Sequence, residues 1–131
     1  MLYIEDFKKA YTLKKNIACI EEDIRKLDKE LDEKEVQGFE EILGIDAEKE
    51  MLEYKLCILN GNLMEIIDFI NGCKDVFVSR ALYCKYLKNE SWSKVAMSLG
   101  GYNSGDCIRK MVERYLDKKG VTRRKVAEKE R

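Results

Sequence analysis

The stretch KYLKNESWSKVAMSLGGYNSGDCIRKMVERYL, residues 85–116, decides the fold. Its apolar positions fall at helical spacing in two blocks: Trp92, Val95, Ala96 and Leu99, then Ile108, Met111, Val112, Tyr115 and Leu116. Ser91 precedes the first block as an N-cap, and Asn103 or Ser104 precedes the second. Gly100 ends the first block, where a positive φ is expected. The spacing predicts helices over 92–99 and 104–118, joined by a glycine turn. The second helix carries Arg109, Lys110 and Arg114 on its outer side. A short helix pair ending in a basic helix is the outline of a helix-turn-helix DNA reader.

A further helix is expected over 74–87, with Val76, Phe77, Ala81, Leu82, Tyr83 and Tyr86 as its apolar positions. Lys88-Asn89-Glu90 ends it, and Trp92 is expected to pack on Phe77 or Leu82. Residues 73–119 then form a trihelical helix-turn-helix unit. Residues 120–131, GVTRRKVAEKER, read as a frayed basic tail.

Upstream, two seams repeat at steps of 4, 3, 4, 3 and 4: Leu13, Ile17, Ile20, Ile24, Leu27, Leu31, and Leu52, Leu56, Leu59, Leu63, Ile66, Ile70. These are heptad patterns, each about 28 Å long at about 1.5 Å per residue. Between them Gly38 and Gly44-Ile45-Asp46 read as breaks, with Phe39, Ile42 and Leu43 in a short capping turn. The fold class is therefore all-α, with residues 1–72 an antiparallel, coiled-coil-like helical hairpin and Asn71-Gly72 the joint to the second half. An a/d seam alone is narrow. A second copy would complete the hairpin as a four-helix dimer, which is favoured; the C-terminal helices are the other means.

Composition excludes several classes. Proline is absent from the 131 residues, as a nearly all-helical chain allows. No apolar run approaches the ~18 residues of a membrane span. Glu5, Asp6, Lys8 and Lys9 interrupt any signal-peptide core. The chain has no histidine, no GxxxxGK[ST], no GxGxxG and no GxSxG, so it reads as no enzyme and implies no cofactor. Cys19, Cys57, Cys73, Cys84 and Cys107 form no CxxC pair and imply no metal. They read as reduced thiols serving as small hydrophobes in a cytoplasmic protein. Acidic clusters such as Glu21-Glu22-Asp23 lack the ordered spacing of a cation loop and read as a solvated face. Tyr83, Tyr86 and Tyr115 read as core or half-buried residues rather than as a stacking platform for single strands.

The zero net charge hides a split. Residues 1–72 hold 10 Lys+Arg and 18 Asp+Glu, giving −8; residues 73–131 hold 15 and 7, giving +8. A basic half expects a polyanionic partner. The N-terminal end of the second helix of the pair is the end that approaches base edges. Arg109 suits bidentate reading of guanine, while Lys94, Lys110 and Arg114 suit phosphates. Asp106 serves the helix dipole, or accepts from a cytosine amino group.

At these residues the chain resembles known regulators. Residues 80–118 resemble the region-4-like helix-turn-helix of sigma factors, through Leu87, Ser91-Trp92-Ser93-Lys94-Val95-Ala96, Leu99-Gly100, and Ile108-Arg109 through Tyr115-Leu116. The closer resemblance is to small phage-encoded regulators of Gram-positive bacteria, of the RinA and ArpU type. It covers about a third of the chain. The resemblance implies DNA binding by the second helix of the motif, regulation of late phage transcription, and contacts from Asn103, Ser104, Asp106, Arg109 and Lys110. One departure stands out. Position 106 is Asp where compact helix-turn-helix units place an apolar residue, about six positions after the turn glycine, and Ile108 takes that place, so the turn is about two residues longer. Tyr102 is expected to fill the corner, with stacking on the DNA backbone as the other role.

The expected function is a sequence-specific transcriptional regulator that binds double-stranded DNA as a homo-oligomer, a dimer by preference. RNA polymerase is a further partner for the acidic hairpin, and no membrane is involved. The alternatives are a small terminase-like DNA-packaging subunit and a coiled-coil protein-interaction module acting on RNA polymerase.

Overall fold

The computed structural model describes residues 1–33 and 38–123. The fold is all-α, with no strand among the described residues. Helix α1 spans Ile4–Lys8, α2 Ala10–Glu33, α3 Phe39–Asn71, α4 Val76–Leu82, α5 Trp92–Ser98 and α6 Gly105–Lys118; a wide π-type turn, Tyr83–Leu87, continues α4. None of the described helices is long and apolar enough to cross a membrane. The chain forms two compact units, one of residues 12–63 and the other of residues 1–11 with 64–131.

In the 12–63 unit both seams face inward. Every seam position of this unit is buried or half-buried, Ile17 and Leu27 most completely. An ion pair from Lys49 to Asp28 ties α3 to α2. The break expected at Gly44-Ile45-Asp46 is absent: α3 runs through Gly44 and Gly61, and Phe39, Ile42 and Leu43 form its first turns. An interior glycine costs a helix only about 1 kcal/mol, which 33 residues of continuous helix absorb. A Cβ built at either glycine meets nothing within 4 Å. Gly61→Ala is therefore expected to raise stability by about 0.5–1 kcal/mol, read as a higher urea midpoint of helical circular dichroism.

Seam residues are not the only apolar ones on α3. Leu43, Met51, Tyr54 and Ile58 form a second stripe at helical spacing, each 47% exposed or more. Cys19 and Cys57, expected among apolar neighbours, are exposed because they fall between seam positions; Cys107 is exposed, and Cys73 and Cys84 are buried.

The other unit draws its core from both ends of the chain. Phe7 and Ala10 have no exposed surface, and Ile66 and Ile70, the last seam residues, are buried with them. The Phe7 ring lies edge-on to Phe69 at 5.3 Å and tilted against Tyr86 at 5.7 Å. Phe69 in turn meets Tyr115 edge-on at 6.2 Å. Helix α6 packs on both α4 and α5, and the π-type turn packs on α5.

The helix expected over 74–87 is shorter and ends differently. Asp75 caps α4 by accepting from the Phe77 and Val78 amides, so Val76 lies on the first turn, 70% exposed. The Ser79 hydroxyl donates to the Ile70 carbonyl at 3.1 Å, satisfying the end of α3. The wide turn shifts the register: Cys84, Tyr86 and Leu87 point inward while Tyr83 is 48% exposed. Tyr83 is therefore not core as expected. Trp92 lies edge-on to Tyr86 at 6.3 Å.

The C-terminal stretch does not fray at once. Gly120 is left-handed (φ 80°), its amide donates to Asp117, and the Val121 amide donates to Leu116. This is a Schellman cap, with Val121 buried as its apolar closure. The Ile4 amide donates to the Thr122 carbonyl at 3.0 Å, tying α1 to this cap. The rest of the expected tail, residues 124–131, lies outside the described residues.

Candidate nucleic-acid interface

The α5–α6 pair is built by its end signals. The Ser91 hydroxyl accepts from the Lys94 amide at 3.2 Å and starts α5. The Ser104 hydroxyl accepts from the Cys107 amide at 3.1 Å and starts α6. Helix α5 ends in a second Schellman cap, with the Gly100 amide on Met97 and the Gly101 amide on Ala96. Gly100 and Gly101 both take positive φ (106° and 74°), a sequence that side chains other than glycine rarely follow. Two left-handed residues in a row explain the long connector.

The close approach of the two helices rests on a residue that sequence reasoning did not single out. A Cβ at Gly105 would lie 2.8 Å from the Trp92 carbonyl carbon and 2.8 Å from the Ser93 amide nitrogen. Glycine is the residue that lets the start of α6 touch the start of α5. Ala96, expected at the crossing, is buried as well. Ile108, Val112 and Leu116 form the inward stripe of α6, none more than 1% exposed.

The outward stripe of α6 is a ladder of alternating charge. Arg109 donates to Asp106 Oδ1 at 2.6 Å and to both oxygens of Glu113 at 3.1 and 3.2 Å. Lys110 Nζ lies 3.3 Å from Asp106 Oδ2. Donation from Arg109, then from Lys110, holds the Asp106 carboxyl below its ordinary range. The two carboxylates raise the Arg109 guanidinium still further. These pairs are exposed, so each contributes little to stability. Their effect is geometric: the guanidinium is held in one place. Asp106 thus serves both the helix N-terminus and Arg109.

The remaining candidates are distributed around this ladder. Arg114 is exposed and makes no ion pair among the described residues. Lys94 is exposed, 4.0 Å from Glu90. Glu90 itself is nearly buried, with one oxygen lacking a hydrogen-bond partner. Burial, then the Glu90 charge, pushes the neighbouring Cys84 thiol up. Asn103 accepts weakly from the Cys107 thiol at 3.7 Å, and Ser104 spends its oxygen on the cap. Tyr102 does not fill the corner: it is 93% exposed, with Met97 nearby at 73%. The two positive-φ glycines direct the turn outward and carry Tyr102 with it.

Sequence reasoning also missed the neighbours of this face. A cleft of about 370 Å³ is lined by Lys8, Lys85, Tyr86, Asn89, Trp92, Arg109 and Glu113. Lys85 Nζ sits 5.1 Å over the Trp92 ring. Asn89 adopts positive φ (58°) where the π-type turn ends, a conformation asparagine tolerates better than most residues. The signal for Lys8 lay in Phe7 and Ala10, whose spacing of three marks an inward face in a charged segment. No family model, curated protein or solved structure matches the chain.

Proposed function

We propose that this protein is a sequence-specific regulator that binds double-stranded DNA through α6, in the manner of the sigma-like and RinA/ArpU-type regulators that its sequence resembles. The observation that carries the reading is the α5–α6 pair: two serine-capped helices, a double-glycine turn, and glycine contact at the crossing. That arrangement leaves Lys110 and Arg114 exposed and holds Arg109, half-buried, beside the buried stripe. In this reading Arg109, held by Asp106 and Glu113, reads a base, and Lys94, Lys110 and Arg114 meet phosphates. One small module makes few base contacts, so two copies on a two-part site are expected. The two seams suit an antiparallel hairpin, and the exposed Leu43, Met51, Tyr54 and Ile58 stripe of α3 supports self-association through it.

Substitution separates the roles. On a selected cognate duplex, Arg109→Ala is expected to cost about 1–3 kcal/mol and relax specificity at one position. Arg114→Gln is expected to weaken all sequences alike and to reduce the salt slope by about 1. Both are read by fluorescence anisotropy. Unchanged affinity for the Arg109 variant removes that residue from the reading surface.

A second reading, a protein-interaction module acting on RNA polymerase, is favoured by Met97 and Tyr102, apolar and exposed at the turn. It expects no salt-sensitive DNA binding. A packaging subunit of the small terminase type would instead form rings of many copies in sedimentation.

A further inference from the structure

We propose that Lys8 and Lys85, in the cleft they share with Arg109, seat a backbone phosphate of duplex DNA, so that the N-terminal helix α1 forms part of the DNA-binding surface. The inference rests on the DNA-binding reading of α6 and names contacts outside that helix. Three cations from three separate elements converge on one cleft: Lys8 of α1, Lys85 of the π-type turn and Arg109 of α6. Glu113 is the one carboxylate lining it, and Glu113 is already engaged by Arg109. Neither Lys8 nor Lys85 makes an ion pair among the described residues; Lys85 is steered over the Trp92 ring instead. Asn89 adds a neutral side-chain amide able to donate to an oxyanion. Two ammonium groups that no carboxylate neutralises, with the Asn89 amide beside them, match the chemistry of a phosphodiester.

The placement also resolves a difficulty in the charge split. Lys8 belongs by sequence to the half of net charge −8, yet folding puts it in the same compact unit as α6. The basic surface beside α6 is therefore larger than the C-terminal segment alone supplies.

The test uses the full chain and a mixed-sequence duplex, with anisotropy measured over a range of salt. Each phosphate contact contributes about 0.9 to the slope of log K against log salt. Lys8→Gln and Lys85→Gln are each expected to flatten the slope, and the double variant by about that amount in all. Lys55→Gln, an exposed lysine of the 12–63 unit, is expected to leave it unchanged. Trp92, the one tryptophan, lines the cleft and is expected to change emission when DNA binds. Circular dichroism melting checks that each variant is folded; Lys8 is exposed, and its loss is expected to leave the melt unchanged. If the wild type binds with a steep slope and the Lys8 and Lys85 variants match it, the seat is wrong and the α6 reading stands. If the wild type binds no duplex, both fall. A Trp92 response to inorganic phosphate at matched ionic strength, equal to that given by DNA, would assign the cleft to a free ion and overturn the proposal.

Discussion

Phe7→Ala is expected to destabilise the 1–11/64–131 unit by about 3–5 kcal/mol, the range for truncating a buried phenylalanine. Phe7 has no exposed surface and sits at the head of an aromatic chain running to Phe69 on one side and to Tyr86 and Trp92 on the other. Aromatic pairs of this geometry add about 0.5–1.5 kcal/mol beyond area burial. The emission of Trp92, the only tryptophan, reports on this unit alone. In urea its midpoint is expected to fall by about 1–5 M, given a slope of about 1–3 kcal/mol per M. A related outcome follows for residues 73–131 made alone. That segment lacks Phe7, Ile66, Phe69 and Ile70, and is expected to show no cooperative unfolding. An unchanged Trp92 midpoint in Phe7→Ala would show that the N-terminal segment does not complete this core.

Gly105→Ala is expected to be the most damaging small change in the α5–α6 pair. Alanine would gain up to about 1 kcal/mol of helix propensity. Against this stands a methyl group 2.8 Å from two backbone atoms, which no side-chain rotation relieves. Overpacking of this kind costs about 1–3 kcal/mol, and here the fixed backbone places it toward the upper end. The clash wins, so the net effect is a loss of about 1–2 kcal/mol. The same substitution at Gly61, where nothing lies within 4 Å, has the opposite sign. The pair of variants, read by urea unfolding, separates close approach from propensity. Because α5 must shift away from α6, duplex binding is expected to weaken as well. A Gly105→Ala protein as stable as the wild type would contradict the observed crossing.

Much of the helical layout was legible in the sequence because local signals carried it. Ser91 and Ser104 sit one residue before α5 and α6, and Gly100 takes the positive φ its position demanded. Both seams of α2 and α3 face inward as their 4-3 spacing required. What escaped was whatever depended on distant partners. Phe7 is separated by 62 and 79 residues from Phe69 and Tyr86, and no local pattern announces such contacts. The π-type turn escaped for a different reason. Residues 76–87 read equally well as one α-helix, and only the packed chain requires the wider turn that turns Tyr86 in and Tyr83 out. Gly44 misled because glycine counts as a breaker, while helical neighbours on both sides carry the chain through it. At the candidate interface, residue types were readable but pairings were less so. The Asp106–Arg109–Glu113 spacing of three and four is a helix-face ion ladder, visible only once the helix is placed.

Fluorescence anisotropy of the full chain with mixed-sequence duplex DNA at several salt concentrations decides whether this protein binds duplex DNA. With Lys94, Lys110 and Arg114 on phosphates, and Lys8 and Lys85 beside them, log K is expected to fall against log salt with a slope of about −3 to −5. Tight binding at low salt that collapses on this slope is expected of a protein that neutralises phosphates. No binding at low salt, or binding that salt leaves unaffected, would contradict that expectation.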